Sequence, residues 1–331
     1  MILVTGGAGF IGFHLNSLLC QENEVSSIDS FSDYYSVDLK QMRSNELENT
    51  SRITVKNIDM CDVEALERVL DANPIKTVVH LAAQPGVRLR PEHYSKYVSS
   101  NVVAFENLMQ ACVKKNVKNI IFASSSSVYG NYAKVPLSET ETNLLPESYY
   151  GATKLSNEIT AKVMASRHGL RIFALRFFTV YGPWGRPDMA YTRIASALIN
   201  DEDFRMFGDG TVVRDFTYVD DVVSTIQLLC KSIGNRDEGS FEVLNIGGGK
   251  PSSLREMIQE FERQAGRELK VAQYASNPSD MKITHADWTK LESFCGKIPR
   301  TPLSEGIERT FAWANDAKIR TKLRTWTTSV A

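Results

Sequence analysis

The chain opens "MILVTGGAGFIG", a short apolar run that breaks at once into glycines. The run "ILVT" at 2–5 reads as a strand, Gly6, Gly9 and Gly12 as a tight turn, and the apolar pattern from residue 10 as a helix. Glycine lets a backbone turn sharply, approach a pyrophosphate closely and pack a helix on a sheet, while the free amides of the helix start face the phosphates. A strand that exits through such a turn needs parallel neighbours, and the chain supplies them. "EVSSID" (24–29), "RITVKNI" (52–58), "KTVVHLA" (76–82), "KNIIFAS" (118–124), "RIFALRF" (171–177) and "FEVLNIG" (241–247) read as strands. Several are apolar on both faces, as strands of a covered parallel sheet must be. Helical stretches fall between them at 10–22, 62–72, 91–115, 149–168 and 218–234.

This alternation predicts a doubly wound α/β fold with right-handed crossovers, a Rossmann sheet. With 331 residues, 43% of them apolar, the chain exceeds one typical domain, and a second, smaller α/β lobe is expected. The rhythm breaks after Phe177 at Pro183, Trp184 and Pro187, and resumes for one helix–strand unit at 218–247. The expected division is therefore 1–177 plus 217–247 for the dinucleotide and 178–216 plus 248–331 for a substrate.

Asp29 ends the second strand, seventeen residues past Gly12. A carboxylate there accepts from ribose hydroxyls and repels a 2′-phosphate, which favours NAD over NADP. Asp59, after the third strand, either meets the adenine or shares a turn with a helix cap at Asp62. "YYGATKLSNE" sets Tyr150 and Lys154 four apart on one helix face. An unperturbed phenol, with a pKa near ~10, is a poor base at neutral pH. A neighbouring ammonium is expected to stabilise its anion and lower that value.

Net charge is −1, with Lys and Arg scattered, so no basic field gathers nucleic acid. The five cysteines are widely spaced, with no CxxC pair, which reads as reduced thiols in a cytoplasmic protein. No cluster suggests a metal, no apolar run reaches a membrane span of about 18 residues, and the N-terminus is a strand start, not a signal peptide. His80, at the head of "HLAA", reads as a packed core residue.

"TGGAGFIG", "HLAAQPGVR", "SSSSVYG", "YGATK", "RFFTVYGPWGRPDMA" and "GDGTVVRDFTYVDD" together resemble the extended short-chain dehydrogenase/reductase family along nearly the whole chain. Within it the chain looks most like the UDP-glucuronate 4-epimerases, and "DSFSDYYSVDLK" adds to that likeness. The resemblance implies a catalytic set of Ser125, Tyr150 and Lys154. It also adds Phe10, Ile11, Met60, Asn101, Tyr150 and Lys154 to the NAD contacts. The family's decarboxylases and dehydratases carry an acid where Ser127 stands, and its dehydratases another where Ser126 stands.

Hydroxyls alone permit oxidation at C4 and return of the hydride, without the extra acid–base step of a dehydratase. They can also hold a hexuronate carboxylate near the plane of a 4-keto carbonyl, where decarboxylation is suppressed. Ser126 and Ser127 are assigned to that carboxylate, with Thr179 and Arg186 opposite; the rival reading of Arg186 is a hinge-loop salt bridge. Ser124 reads as a cap of the strand end. Arg214 is expected on the UDP diphosphate, Phe207 on uracil, Arg88 on sugar or phosphate and, by similarity, Asp280 on a ribose hydroxyl. Asn277 departs from the family's usual Arg or Gln, so the second diphosphate contact has no assigned residue.

The expected activity is NAD-dependent C4 epimerisation of UDP-glucuronate and UDP-galacturonate. UDP-galactose epimerisation is the nearest alternative, then decarboxylation, 4,6-dehydration, or a non-enzymatic NAD-sensing module. The resemblance also implies a homodimer through helices 91–115 and 149–168. Val98, Val102, Phe105 and Leu108 offer apolar spacing for it, unless they pack on their own sheet.

Overall fold

Twelve strands lie along the described residues: β1 (Ile2–Thr5), β2 (Val25–Asp29), β3 (Val55–Asn57), β4 (Thr77–His80), β5 (Asn119–Ser125), β6 (Arg171–Phe177), β7 (Thr179–Tyr181), β8 (Phe204–Phe207), β9 (Val213–Tyr218), β10 (Phe241–Ile246), β11 (Pro251–Ser253) and β12 (Val271–Tyr274). The helices are α1 (Phe10–Leu19), α2 (Val37–Ser51), α3 (Val63–Asp71), α4 (Tyr94–Tyr97), α5 (Ala104–Lys114), α6 (Tyr149–His168), α7 (Ala190–Asn200), α8 (Val219–Ser232), α9 (Leu254–Ala265), α10 (Thr289–Cys295), α11 (Leu303–Ala314) and α12 (Ala317–Thr328). These come from a computed structural model, which describes residues 1–87, 89–275, 281, 283–298 and 300–328.

Seven strands form one parallel sheet in the order β10-β6-β5-β4-β1-β2-β3. The chain winds outward from β1 in one direction and from β4 in the other, so the switch point lies between them. Successive residues feed opposite faces. Leu3, Val78 and Ile120 pack against Leu66, Leu108 and Ala161 of α3, α5 and α6. Val4, Val79 and Ile121 pack on the other side with Leu15 of α1 and Val222 and Ile226 of α8. β10 completes the sheet beside β6, as the helix–strand unit at 218–247 led us to expect. Outside the sheet, β7, β9 and β11 form a three-stranded sheet and β8 and β12 a pair.

Local signals account for many boundaries. Ser36, Asp62 and Ser148 cap α2, α3 and α6, and Ser253 with Glu256 forms a capping box on α9. The sequence reading missed α2 altogether and ran the third strand back to residue 52. The inward face of α2 carries Lys40 and Arg43, both buried, so it shows no apolar stripe. The segment 91–115 is not one regular helix: a π-helical stretch, Val98–Val103, separates α4 from α5. α11 and α12 are separated at Asp316, whose carboxylate accepts from the Lys318 amide at 2.9 Å. Of the four dimer candidates, Phe105 and Leu108 are buried in their own core. No described helix is long and apolar enough to cross a membrane, and all five cysteines are free.

His80 does pack inside, its Nδ1 2.8 Å from the Thr5 hydroxyl. Burial first, then the Lys154 charge, hold its pKa down at about 3. His14, whose Nε2 donates to the Pro183 carbonyl at 2.8 Å, is held at about 4, chiefly by burial. The unfolded chain titrates both near 6.5, so between about pH 6.5 and 4 it binds more protons than the fold. Stability contributed by the neutral rings is full above that window and is lost as pH falls through it. Urea midpoints should drop across the window, and His80→Asn should flatten the drop by about 1 kcal/mol per pH unit. An unchanged slope in the variant would mean that His80 titrates freely in the fold.

Candidate active site

The glycine turn is built as its spacing requires. Gly6 has φ +74°, and a Cβ there would sit 2.7 Å from the Ala82 amide nitrogen. A Cβ at Gly12 would sit 2.1 Å from the Gly6 carbonyl oxygen. α1 starts at Phe10 with no side-chain cap, which leaves the first-turn amides of Phe10, Ile11 and Gly12 to an anion. Asp29 is buried, and its carboxylate accepts from the Ala8 amide at 3.1 Å and the Phe31 amide at 2.8 Å, one on each oxygen. Each oxygen keeps capacity for a ribose hydroxyl. A pyrophosphate cradle that a Cβ would fill, with an oriented carboxylate beside it, fits NAD.

Asp62 caps α3, accepting from the Ala65 amide at 2.9 Å, and Asp59 is an exposed turn residue bonded to the Cys61 amide. Met60 is buried beside it. Asn101, on the π-helical stretch, spends its amide on protein: Nδ2 donates to the Gln84 carbonyl and the Thr153 hydroxyl, and Oδ1 accepts from the Gln84 amide. It ties the loop after β4 to α6, a common use of a π-bulge at a site.

Ser125 ends β5; its hydroxyl donates to Ser127 Oγ and accepts from the Ser127 amide, both at 3.1 Å. Ser126 and Ser127 open a 3₁₀ turn directly after it. Tyr150 and Lys154 lie in the first turns of α6, with the ammonium 5.8 Å from the phenol ring centroid. Lys154 is fully buried and donates to the Ala123 carbonyl at 2.8 Å. Burial pulls its pKa down to about 8.

The expected lowering of the tyrosine by that lysine is not what the geometry gives. Burial pushes Tyr150 up to about 12, and the groups pulling it back are first the Arg186 charge and then a Ser125 hydrogen bond. Arg186 thus stands within Coulomb reach of the phenol. It forms the hinge-loop salt bridge left open above: Nε donates to Asp188 Oδ1 at 3.0 Å and Nη2 to Oδ2. Its guanidinium also lies 5.8 Å from the Tyr34 ring centroid.

Ser124 does not cap the strand end. It is buried, and its hydroxyl donates to Glu158, one turn beyond Lys154 on α6. Arg176 of β6 grips the same carboxylate through Nε at 3.0 Å and Nη2 at 2.7 Å. The Arg176 guanidinium covers the Tyr129 ring at 4.6 Å, and the Tyr129 hydroxyl donates to Asn245. Sequence reasoning missed this network, although Glu158 shares the Tyr150–Lys154 face at the next four-residue step.

Farther out, Thr179 starts β7, two residues past the end of β6. Arg214 lies on β9 and donates to the Val213 carbonyl at 2.9 Å. Phe207 ends β8, half open, with its ring 5.8 Å from that of Tyr274. Arg88, Asn277 and Asp280 lie outside the described residues. Among the described residues no group of His, Cys, Asp and Glu could hold a metal ion.

The model of the NAD dependent epimerase/dehydratase family matches residues 2–247. The chain belongs to that family. It is 36% identical to the UDP-glucuronate 4-epimerase of Thermodesulfobacterium geofontis, over 95% of this chain and 96% of the relative. It is 38% identical to UDP-glucuronate 4-epimerase 4 of Arabidopsis thaliana, over 94% of this chain and 74% of the relative. The crystal structure of UDP-glucuronic acid 4-epimerase from Bacillus cereus in complex with UDP-glucuronic acid and NAD superposes with a TM-score of 0.85 at 35% identity, covering 94% of this chain and 98% of that one.

Tyr150→Phe removes one oxygen from this arrangement and no packing. The purified variant should keep its bound NAD and its thermal midpoint, and lose turnover by at least about a hundred-fold. Near-normal turnover would remove Tyr150 from the chemistry.

Proposed function

We propose that the chain is an NAD-dependent 4-epimerase of UDP-hexuronates, interconverting UDP-glucuronate and UDP-galacturonate. The observation that carries the reading is a cation, Arg186, within reach of Tyr150 at a strand end that offers only hydroxyls. An acid at Ser126 or Ser127 would repel a substrate carboxylate; Arg186 and the hydroxyls attract it.

In this reading Tyr150 takes the proton of the C4 hydroxyl, and Ser125 shares the hydrogen bond to that oxygen. Arg186 and Lys154, whose ammonium is fixed by the Ala123 carbonyl, supply the positive charge around the phenolate. The Gly6–Gly12 turn and Asp29 would hold NAD, which when bound would supply the hydride acceptor and donor for C4. Ser126, Ser127, Thr179 and Arg186 keep the carboxylate near the carbonyl plane, where the bond to C5 overlaps poorly with the π system. Arg214 grips the diphosphate, Phe207 stacks on uracil and Asp280 takes a ribose hydroxyl, so the sugar turns while the nucleotide stays. Arg88 is assigned to the sugar or phosphate by position in the sequence alone.

We assign 1–177 with 217–247 to NAD, with Gly6, Gly9, Phe10, Ile11, Gly12, Asp29, Asp59, Met60 and Asn101 around it, and 178–216 with 248–331 to the UDP-sugar. The protein is proposed to be cytoplasmic, in keeping with five free thiols. It is proposed to be a homodimer through α4–α5 and α6, where Val98, Val103, Ile159 and Val163 are exposed.

One observation favours a neutral UDP-hexose instead: Arg186 already commits Nε and Nη2 to Asp188. Arg186→Ala separates the two readings. On the hexuronate reading it should slow UDP-glucuronate turnover about ten- to a hundred-fold, the worth of one charged hydrogen bond. It should spare UDP binding, and a UDP-pentose side product should appear as the carboxylate leaves the plane. Equal losses on UDP-glucuronate and UDP-galactose, with no pentose, would make Arg186 structural and the hexose reading the better one.

A further inference from the structure

The loop that presents Arg186 is held from the dinucleotide side by side chains of α1 and α2. Three successive carbonyls, of Pro183, Trp184 and Gly185, are each taken by such a side chain. His14 of α1 donates to Pro183 at 2.8 Å. Arg43 of α2 donates through Nη2 to Trp184 at 2.6 Å and to Gly185 at 3.2 Å. Through Nη1 the same guanidinium reaches the Ala8 carbonyl in the glycine turn at 3.1 Å and the Tyr35 hydroxyl at 2.8 Å.

Arg43 is wholly buried, and no carboxylate pairs with it among the described residues. A buried charge without a counter-ion is retained only where its hydrogen bonds are needed. Here they hold an unfavourable turn. Trp184 has φ +58°, a left-handed conformation that a bulky residue rarely adopts. A Cβ at Gly185 would sit 2.3 Å from the Tyr191 hydroxyl, so the chain must pass through a narrow gap before Arg186 emerges. Tyr34, next to Tyr35, has its ring 5.8 Å from the Arg186 guanidinium, whose partner is Asp188.

We infer that Arg43 is a positioning residue: it locks the Trp184–Gly185 turn to the glycine turn and thereby aims Arg186 at the substrate carboxylate. The inference rests on the hexuronate reading. Four acceptors from three segments converge on one planar fork, which a lysine with a single point of charge cannot reproduce. Arg43→Lys is therefore the informative change, and its effect must pass through Arg186.

The experiment is a double-mutant cycle of Arg43→Lys and Arg186→Ala, reading KM and kcat for UDP-glucuronate, inhibition by UDP and retained NAD. Arg43→Lys alone should raise KM for UDP-glucuronate about five- to twenty-fold, with UDP affinity and NAD content unchanged. In the Arg186→Ala background the same change should do almost nothing to KM, because the group it positions is gone. Tyr35→Phe, which deletes one acceptor of the fork, should shift KM in the same direction by about two- to five-fold and carries the cycle if Arg43→Lys does not fold.

A penalty that persists in full without Arg186, an equal loss of UDP affinity, or no change in KM would each overturn the role of Arg43 while leaving the hexuronate reading intact. An unchanged KM in Arg186→Ala itself would instead remove the hexuronate reading, and the inference with it.

Discussion

The seating of α6 on the end of β5 is the constraint on which the site depends. Two side chains one turn apart make it. Lys154 reaches the Ala123 carbonyl, and Glu158 takes the Ser124 hydroxyl and the Arg176 guanidinium. Removing one partner of a buried ion pair such as Glu158–Arg176 costs about 3–5 kcal/mol, because the other charge is stranded. The register of Tyr150 against Ser125 is therefore fixed by buried polar groups of α6, β5 and β6. The same seating keeps the ammonium dry, and dryness brings its pKa down and the phenol's up. A buried phenol of that kind becomes a base only where positive charge compensates for the lost solvent.

Charge placement follows one rule across the pocket. Two cations act near the phenol, Lys154 at 5.8 Å from its ring and Arg186 by its charge, and the end of β5 offers hydroxyls. The acids nearby are already spent, Glu158 on Arg176 and Asp188 on Arg186. Among the described residues around the phenol, the acids Glu158 and Asp188 are paired, which suits a reaction that must open and close one C–H bond without losing the neighbouring carboxylate.

Much of this was legible in the sequence because it is written in short-range chemistry. The glycine turn, Asp29 at the end of β2 and the paired Tyr150 and Lys154 depend on spacing within one strand–turn–helix unit or one helix face. The alternation of Leu3 with Val4 and of Ile120 with Ile121 gave the covered sheet. What escaped was polar burial at long range. α2 was invisible because its inward face carries Lys40 and Arg43, which periodicity assigns to solvent. Ser124, Glu158 and Arg176 meet from three elements, and no local pattern in any one of them announces the others. The pull of Arg186 on Tyr150 likewise crosses from the second lobe's first loop to α6, so the sequence credited it to the lysine next door.

Epimerisation at C4 requires a hydride that leaves C4 and returns to the same carbon inside one closed cycle. The direct measurement is incubation of the purified protein, with no added cofactor, with UDP-glucuronate deuterated at C4, followed by separation of the products and NMR. The expected product is UDP-galacturonate carrying the deuterium at C4, with no UDP-pentose. Loss of the label to solvent, a UDP-pentose as the main product, or no epimer at all would contradict it.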